Sequence, residues 1–512
     1  MDDVVALNPG GPVGVWRVFF HRLTTVEAAG DLDPVVSRHR DVLDRAAVRL
    51  RKGQPFFVGP GGLVDVRINR WFDSDEMRGL SRASWRKYAY SVRTWLNFLI
   101  VFGVSWDETD PKAQEAFKVW RLMDERNPRR VSAGTYHHDL IAVRLFYVWA
   151  ATEFGIANPI RTRGGAGDRR AWLRRGLTSG RPVTAPPAIR DRDVKWFDPA
   201  GFVRYRDLGL MGLGTDGRDR NSAQGRNGQR DGAFVDGLYG TGLRLQEWGS
   251  IMLIELPADD PSRQFRTCSL ASATAKYGRG RQYWMPRAVL SAVLNYAEGE
   301  RATAVRRAQR SGRYDRLADA LVVTAVLGAR RLRLLDAAGH ASEVSTDGLD
   351  PVARRRLFVD AAAGREPAAL WLNEDGMPRD PHGWAQTFQA ANARLAGSGL
   401  IGFAGSAHML RRSFALRWYS VGRLLFEARF GYLSDEETRD FREQFGSAWD
   451  LVQLMLGHTD PRTTQEIYLE PFRSLEMELL MLHAARAAVP QLMSAVLAGD
   501  RRVLTDPVRD GE

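Results

Sequence analysis

Apolar residues recur at helical spacing over three stretches in the first third of the chain. Trp85, Tyr88, Val92, Trp95 and Leu99 fall three or four apart on one face of a helix that Gly103 stops. A second helical stretch covers Pro111 to Glu125. A third opens on Ser132 as N-cap, carries Tyr136, Leu140, Val143 and Tyr147 in one stripe, and ends near Gly155. Together they predict a small helical bundle over residues 75–158. Residues 1–74 mix apolar runs with Pro9-Gly10-Gly11-Pro12 and Gly59-Pro60-Gly61-Gly62, carry no motif, and read as an N-terminal extension. The region 196–485 reads as mostly helical, with its clear β signal at Thr274 to Pro286, where Tyr277-Gly278-Arg279-Gly280 turns between two short strands. Residues 159–195 are rich in Arg, Gly and Pro and predict a linker, and Thr215 to Asp231 predicts a surface loop. The tail 486–512 holds one more apolar helix, Val489 to Leu497, and a polar end. The fold class expected is mainly α with a small β hairpin, in two principal domains.

Composition narrows the function. The 512 residues are 44% hydrophobic and 26% charged, which is globular composition and excludes disorder as the main state. No run of 18 apolar residues occurs, and Asp2 and Asp3 stand where a secretory leader would be basic, so a cytoplasmic protein without a membrane partner is expected. Cys268 is the sole cysteine, which leaves no disulfide framework and no cysteine-based zinc site within one chain. Lys plus Arg number 73 against 61 Asp plus Glu, a net +12 that points to a polyanion, with nucleic acid foremost. Arginines spread over solvated faces would give the same total, so position has to decide. The predicted linker carries Arg161, Arg163, Arg169, Arg170, Arg174 and Arg175. It is either a solvated connector or a basic strap over a phosphate backbone, and its place between two compact regions of a basic chain favours the strap.

Lysine is scarce: Lys52, Lys87, Lys112, Lys118, Lys195 and Lys276 are all there are. In a chain that writes almost every cation as Arg, Lys276 stands alone in the C-terminal 317 residues. An ammonium can give up a proton where a guanidinium effectively cannot.

Four segments hold uncommon combinations. Tyr239-Gly240-Thr241-Gly242-Leu243-Arg244-Leu245-Gln246-Glu247 places Arg244 and Glu247 three apart, so that the carboxylate can hold the guanidinium in one orientation. The hairpin puts Lys276 beside its turn, with Arg279 and Arg281 close by as candidate DNA contacts. His408-Met409-Leu410-Arg411 puts His408 and Arg411 on adjacent helical turns. In Leu456-Gly457-His458-Thr459-Asp460-Pro461, Gly457 closes a helix, Asp460 and Pro461 start another, and Tyr468 falls two turns inside it. Taken singly, each has an ordinary structural counterpart: a surface ion pair, a turn lysine, a buried histidine, a core tyrosine.

In this order, over residues 75 to 475, the four segments resemble the tyrosine recombinase (phage integrase) family. The resemblance implies a helical core-binding (SAM-like) domain and a mixed α/β catalytic domain acting on double-stranded DNA. It implies Tyr468 as the nucleophile that forms a 3′-phosphotyrosyl bond, with Arg244, Lys276, His408, Arg411 and His458 as its catalytic partners. Physics agrees with those roles. Displacement at a phosphodiester piles charge on the non-bridging oxygens, which forked cations such as Arg244 and Arg411 can clamp. The leaving 5′ oxygen needs an acid, for which Lys276 is suited. His408 would assist proton transfer or bond the phosphate, His458 would donate to a non-bridging oxygen, and Glu247 would orient Arg244. No metal and no cofactor are needed, because the arginines supply the positive charge. Recombination by this chemistry implies a homotetramer on two DNA sites, associated with the nucleoid, with room for accessory or directionality proteins and a role in integration or transposition of a mobile element. The C-terminal tail is a candidate to dock on a neighbouring subunit. Arg412 stands where the family often has histidine, and the chain is longer than a minimal catalytic domain between Tyr296 and Leu370 and between Tyr419 and Trp449. The rival readings are a type IB topoisomerase-like or telomere-resolving enzyme, and a catalytically dead DNA-binding protein.

Overall fold

The computed structural model describes residues 14–21, 51, 53–163, 181–182, 184, 195–214, 227–328, 330–430, 434, 436–437, 448–457, 503–504 and 506. The chain divides into two compact units, Met1–Arg192 and Asp193–Glu512.

In the first unit, helices α1 (Arg82–Phe102) and α3 (Ala133–Phe154) pack along each other, with α2 (Pro111–Leu122) beside them. Their ends follow from local chemistry. Ser81 and Ser132 each accept a bond from the backbone N–H three residues on, at 3.2 and 3.4 Å. Gly103 and Gly155 then close the two helices in the left-handed region. The stripe Trp85, Val92, Trp95 and Leu99 meets Tyr136, Leu140, Val143 and Tyr147 in one core. Each large apolar side chain buried this way contributes roughly 1.5–3 kcal/mol before entropy is charged against it. Polar groups inside are paired: Ser91 donates to Asp139 at 2.6 Å, and Trp95 Nε1 donates to Tyr147 Oη at 3.0 Å.

Two segments set apart by their composition join this core. From the 1–74 stretch, antiparallel strands β1 (Arg17–Phe20) and β2 (Pro55–Val58) and the residues Phe57, Ile68, Trp71 and Phe72 pack into it. From the predicted linker, Thr184 is buried between the Gln114 amide and the Tyr136 hydroxyl, each 2.9 Å away.

In the second unit a central helix, α4 (Gly228–Thr241), runs against α6 (Arg287–Tyr296) and α9 (Ala407–Phe430), with the single turn α5 (Leu245–Trp248) between α4 and α6 in the chain. Phe234, Leu238, Trp248, Leu290, Trp371, Trp384 and Leu410 form its core. The hairpin strands β4 (Phe265–Leu270) and β5 (Arg281–Pro286) pair antiparallel with Cys268 opposite Tyr283. The expected strand start at Thr274 is not seen: residues 272–278 form two short 3-10 turns, so Lys276 lies in the loop between the strands.

The longer stretch between Tyr296 and Leu370 contains a second β element that the hydrophobic pattern left unrecognised. After α7 (Ala302–Arg310), strands β6 (Leu321–Val326), β7 (Arg331–Leu335), β8 (Ala341–Ser345), β9 (Leu357–Ala361) and β10 (Gly364–Pro367) form a five-stranded sheet in the order β8-β7-β6-β9-β10, with β6 and β9 parallel. Leu332 and Leu334 face its core while Arg331 and Arg333 face solvent on Glu343.

The unit continues through α8 (Trp384–Gly397) and α10 (Ala448–Leu456). Of the C-terminal tail, strand β11 (Val503–Leu504) pairs parallel with strand β3 (Trp196–Phe197) of its own chain, and Asp506 accepts two bonds from Arg204 at 2.8 and 3.0 Å. The architecture is mainly helical with small sheets. Among the described residues no helix is long and apolar enough to cross a membrane.

Candidate active site

Four segments far apart in the chain converge in the second unit. The first turns at Gly242, where α4 ends with φ +64 and a Cβ would stand 2.3 Å from the Phe414 ring. Glycine meets both demands at once. Leu243 and Arg244 then lead into α5, where Glu247 reaches back: its carboxylate accepts from the Arg244 backbone N–H and from Arg244 Nη1, each at 2.9 Å. The pair expected from the spacing is formed, with Glu247 only 1% exposed and Arg244 24% exposed.

The hairpin supplies the second segment. Lys276 is exposed, its Nζ 4.9 Å from the centre of the Tyr277 ring. Tyr277 is the non-glycine residue with positive φ among the described residues, at 65°. Arg279 is exposed as well. Arg281 turns inward, and its Nη1 and Nη2 donate to the two Glu247 oxygens at 3.2 and 2.7 Å. Arg281 is a candidate DNA contact by sequence; in this structure both of its terminal nitrogens are engaged by Glu247. Its direction was legible in principle, because Arg281, Tyr283 and Met285 alternate on one face of β5 and the last two are fully buried.

Helix α9 carries the third segment. Arg411 is 1% exposed, and its guanidinium donates to the Gly242 carbonyl and, at 2.7 Å, to the Leu456 carbonyl. Leu456 ends α10, so the cation sits on a helix C-terminus, where the backbone dipole favours it. Arg411 therefore lies beneath the site rather than open at its mouth. One turn earlier, His408 keeps access to solvent. Desolvation by the surrounding protein, followed by Arg412, Arg411, Arg244 and Lys276, pushes its imidazole below its ordinary pKa of 6.5. Those four cations all act on one histidine, which marks the cluster as a single electrostatic site.

The fourth segment is present up to Gly457, which closes α10 with φ +65. His458 and Tyr468 lie outside the described residues, as do Arg169, Arg170, Arg174 and Arg175. Arg161 is exposed, with its backbone N–H bonded to Gln114 at 2.9 Å, and Arg163 is described in its backbone alone, in the two-residue strand Thr162–Arg163.

Glu247 is the counterweight to this charge. Burial raises its pKa, but hydrogen bonds from Arg281 and the charges of Arg281, Arg411 and Arg244 more than reverse that and hold it at about 2. Five cations, Arg244, Lys276, Arg281, Arg411 and Arg412, thus act on this one carboxylate and a histidine. Such a surplus suits an anion, and a neutral imidazole within it can take up a proton.

No family model and no curated protein matches the chain. Solved structures that it is similar to include the XerH site-specific recombinase bound to a palindromic difH substrate, at 11% identity over 80% of this chain and 83% of that one, with a TM-score of 0.43. The Tn1549 transposon integrase in complex with a circular intermediate DNA follows, at 12% identity over 76% of this chain and 97% of that one, TM-score 0.40. The integrase from mycobacterium phage Brujita is 12% identical over 84% and 96%, with a TM-score of 0.22. All three scores lie below 0.5, so what this chain does has to come from its own residues.

Proposed function

We propose that the chain is a DNA strand transferase of the tyrosine recombinase type, a site-specific recombinase or integrase serving a mobile element. The observation that carries this reading is the convergence of Arg244, Glu247, Lys276, His408 and Arg411 from separate segments into one cationic site, with Gly457 at its edge and Tyr468 eleven residues further on. Arg244 is the guanidinium presented to a scissile phosphate, oriented by Glu247, and Arg411 adds its charge from beneath while it fixes the Gly242 turn to the end of α10.

In the forward step the Tyr468 oxygen attacks phosphorus. A phosphorus–tyrosine oxygen bond forms as the bond to the 5′ oxygen breaks. The phenolic proton passes to the neutral His408, and Lys276 protonates the departing 5′ oxygen. Rejoining runs the same transfers backwards, so the energy of the broken phosphodiester is kept in the phosphotyrosyl link. His458 donates to a non-bridging oxygen, the basic arginines around residues 161–175 track the duplex backbone, and four protomers on two DNA sites complete an exchange.

The test is a suicide DNA substrate with a nick beside a candidate attachment site, resolved on a denaturing gel. Wild-type protein should form a covalent protein–DNA adduct and Tyr468→Phe should not. Tight binding of a cognate site with no adduct from either protein would refute the reading in favour of a DNA-binding protein without catalysis.

A further inference from the structure

The strand-transfer reading leaves Arg281 without a task, yet this residue is built into the site from both sides. On one side its two terminal nitrogens each meet an oxygen of Glu247, at 3.2 and 2.7 Å. With the two bonds from Arg244, four donors reach a carboxylate that can accept about four, so Glu247 is saturated. On the other side is Gly457, where an added Cβ would stand 2.5 Å from Arg281 Cδ and 2.8 Å from Nε. Among the described residues the Nε atom is buried without a hydrogen-bond partner, and the side chain as a whole is 12% exposed. Arg281 is thus clasped between the carboxylate that orients Arg244 and the backbone that closes α10, one residue before His458.

An arginine meant only for stability would be an uneconomical choice here. Burying an ion pair rarely gains much over apolar residues of the same size, and its best-attested use is to enforce one arrangement. The arrangement enforced is a chain of contacts, Arg244 to Glu247 to Arg281 to Gly457, whose ends lie 213 residues apart (457 − 244). We propose that Arg281 is a positioning residue of the strand-transfer reaction: it holds Glu247 aimed at Arg244, and it sets that clamp against the helix end that leads into His458 and Tyr468. This rests on the reading proposed above.

The experiment compares single-turnover cleavage of the suicide substrate by the full-length wild type, Arg281→Met, Arg281→Lys, Glu247→Gln and the Arg281→Met/Glu247→Gln double variant, over roughly pH 5 to 9. Glu247 faces Arg244 from the start of α5, Arg281 from β5 and Arg411 from α9. His408 faces Arg412, Arg411, Arg244 and Lys276 and titrates in every variant, so its contribution is common to all. Removing Arg281 takes away the largest attraction on Glu247 while burial still acts, so the carboxyl titrates higher than in the wild type. Arg281→Met should therefore be slower than wild type by about tenfold at the acid end and by clearly less at the alkaline end, one pH unit of displacement being worth a factor of ten. The double variant has no proton to bind at position 247 and should lose this extra acid limb. Arg281→Lys, which keeps the charge and the packing against Gly457, should recover part of it and guards against a Met variant that fails to fold. Affinity for an uncleaved site should change by less than about threefold, because the Arg281 side chain is buried against Glu247 and Gly457. If wild type cleaves and Arg281→Met follows the same pH profile, or loses rate and affinity equally at every pH, the positioning role is overturned alone. If wild type itself forms no adduct at its site, the strand-transfer reading falls and takes this inference with it.

Discussion

Replacing Glu247 by Gln preserves the shape of the side chain and removes its charge, and the cost can be worked from its surroundings. An ordinary glutamate titrates near 4.5; in this site, three guanidiniums overcome the opposing effect of burial and hold it at about 2. That gap of about 2.5 pH units, at about 1.4 kcal/mol per unit, makes the ionised carboxylate worth ~3 kcal/mol of stability at neutral pH. Removal of one partner from a buried ion pair costs a similar amount, about 3–5 kcal/mol, because the charges left behind stay buried. The sign follows from the direction of the displacement. A depressed carboxylate contributes in full above the unfolded value and loses that contribution as pH falls toward the folded one. The difference in unfolding free energy between wild type and Glu247→Gln should therefore hold at ~3 kcal/mol from pH 7 down to about pH 5 and shrink below that toward pH 3, while every other carboxylate titrates in both proteins and cancels. Urea unfolding of the full-length chain at steps between those pH values measures it, followed through the transition of the unit that holds Trp248, Trp371 and Trp384. A difference under about 1 kcal/mol at pH 7, or one as large at pH 3 as at pH 7, would refute the reasoning.

Two further outcomes are expected. Ending the chain before Val503 removes the strand pairing with Trp196–Phe197 and the two bonds from Arg204 to Asp506, so the second unit should melt several degrees lower in a monomeric sample, measured by calorimetry; an unchanged transition would mean that these contacts contribute nothing in cis. His408 is held neutral below its ordinary value of 6.5, so its protonation on acidification should switch cleavage off with a midpoint below 6.5, and an NMR titration of the imidazole should give the same midpoint. A midpoint above 6.5 would place a carboxylate, rather than cations, against this histidine.

The parts of this molecule legible in the sequence are those whose cause lies within a few residues. Helices α1 and α3 could be bounded because Gly103, Ser132 and Gly155 act on adjacent backbone, and Arg244 with Glu247 because a spacing of three already makes them neighbours. The five-stranded sheet was missed because its evidence is shared among strands: β7 alternates arginine with leucine and resembles a solvated stretch until β6 and β8 cover its edges, and the parallel partner β9 comes from 36 residues after β6 begins. The packing of Phe57, Trp71 and Phe72 on α1–α3 was hidden for the same reason, since Gly and Pro around residues 59–62 suggest separation and only the tertiary core overrides it.

Arg281 is the instructive case, because its period was visible while its partner was not. A charge on the inward face of a strand, in step with Tyr283 and Met285, is untenable without a counter-charge. The nearest candidate by motif was Glu247, already assigned to Arg244 by a spacing of three. A carboxylate has two oxygens and about four acceptor positions, and Arg244, bonded through its backbone N–H and one guanidinium nitrogen, leaves half of them open. A second inward cation on the hairpin that carries Lys276 would fill them. The two signals together therefore imply a carboxylate shared by both arginines, and with it a site whose clamp cannot be set without the hairpin being in place.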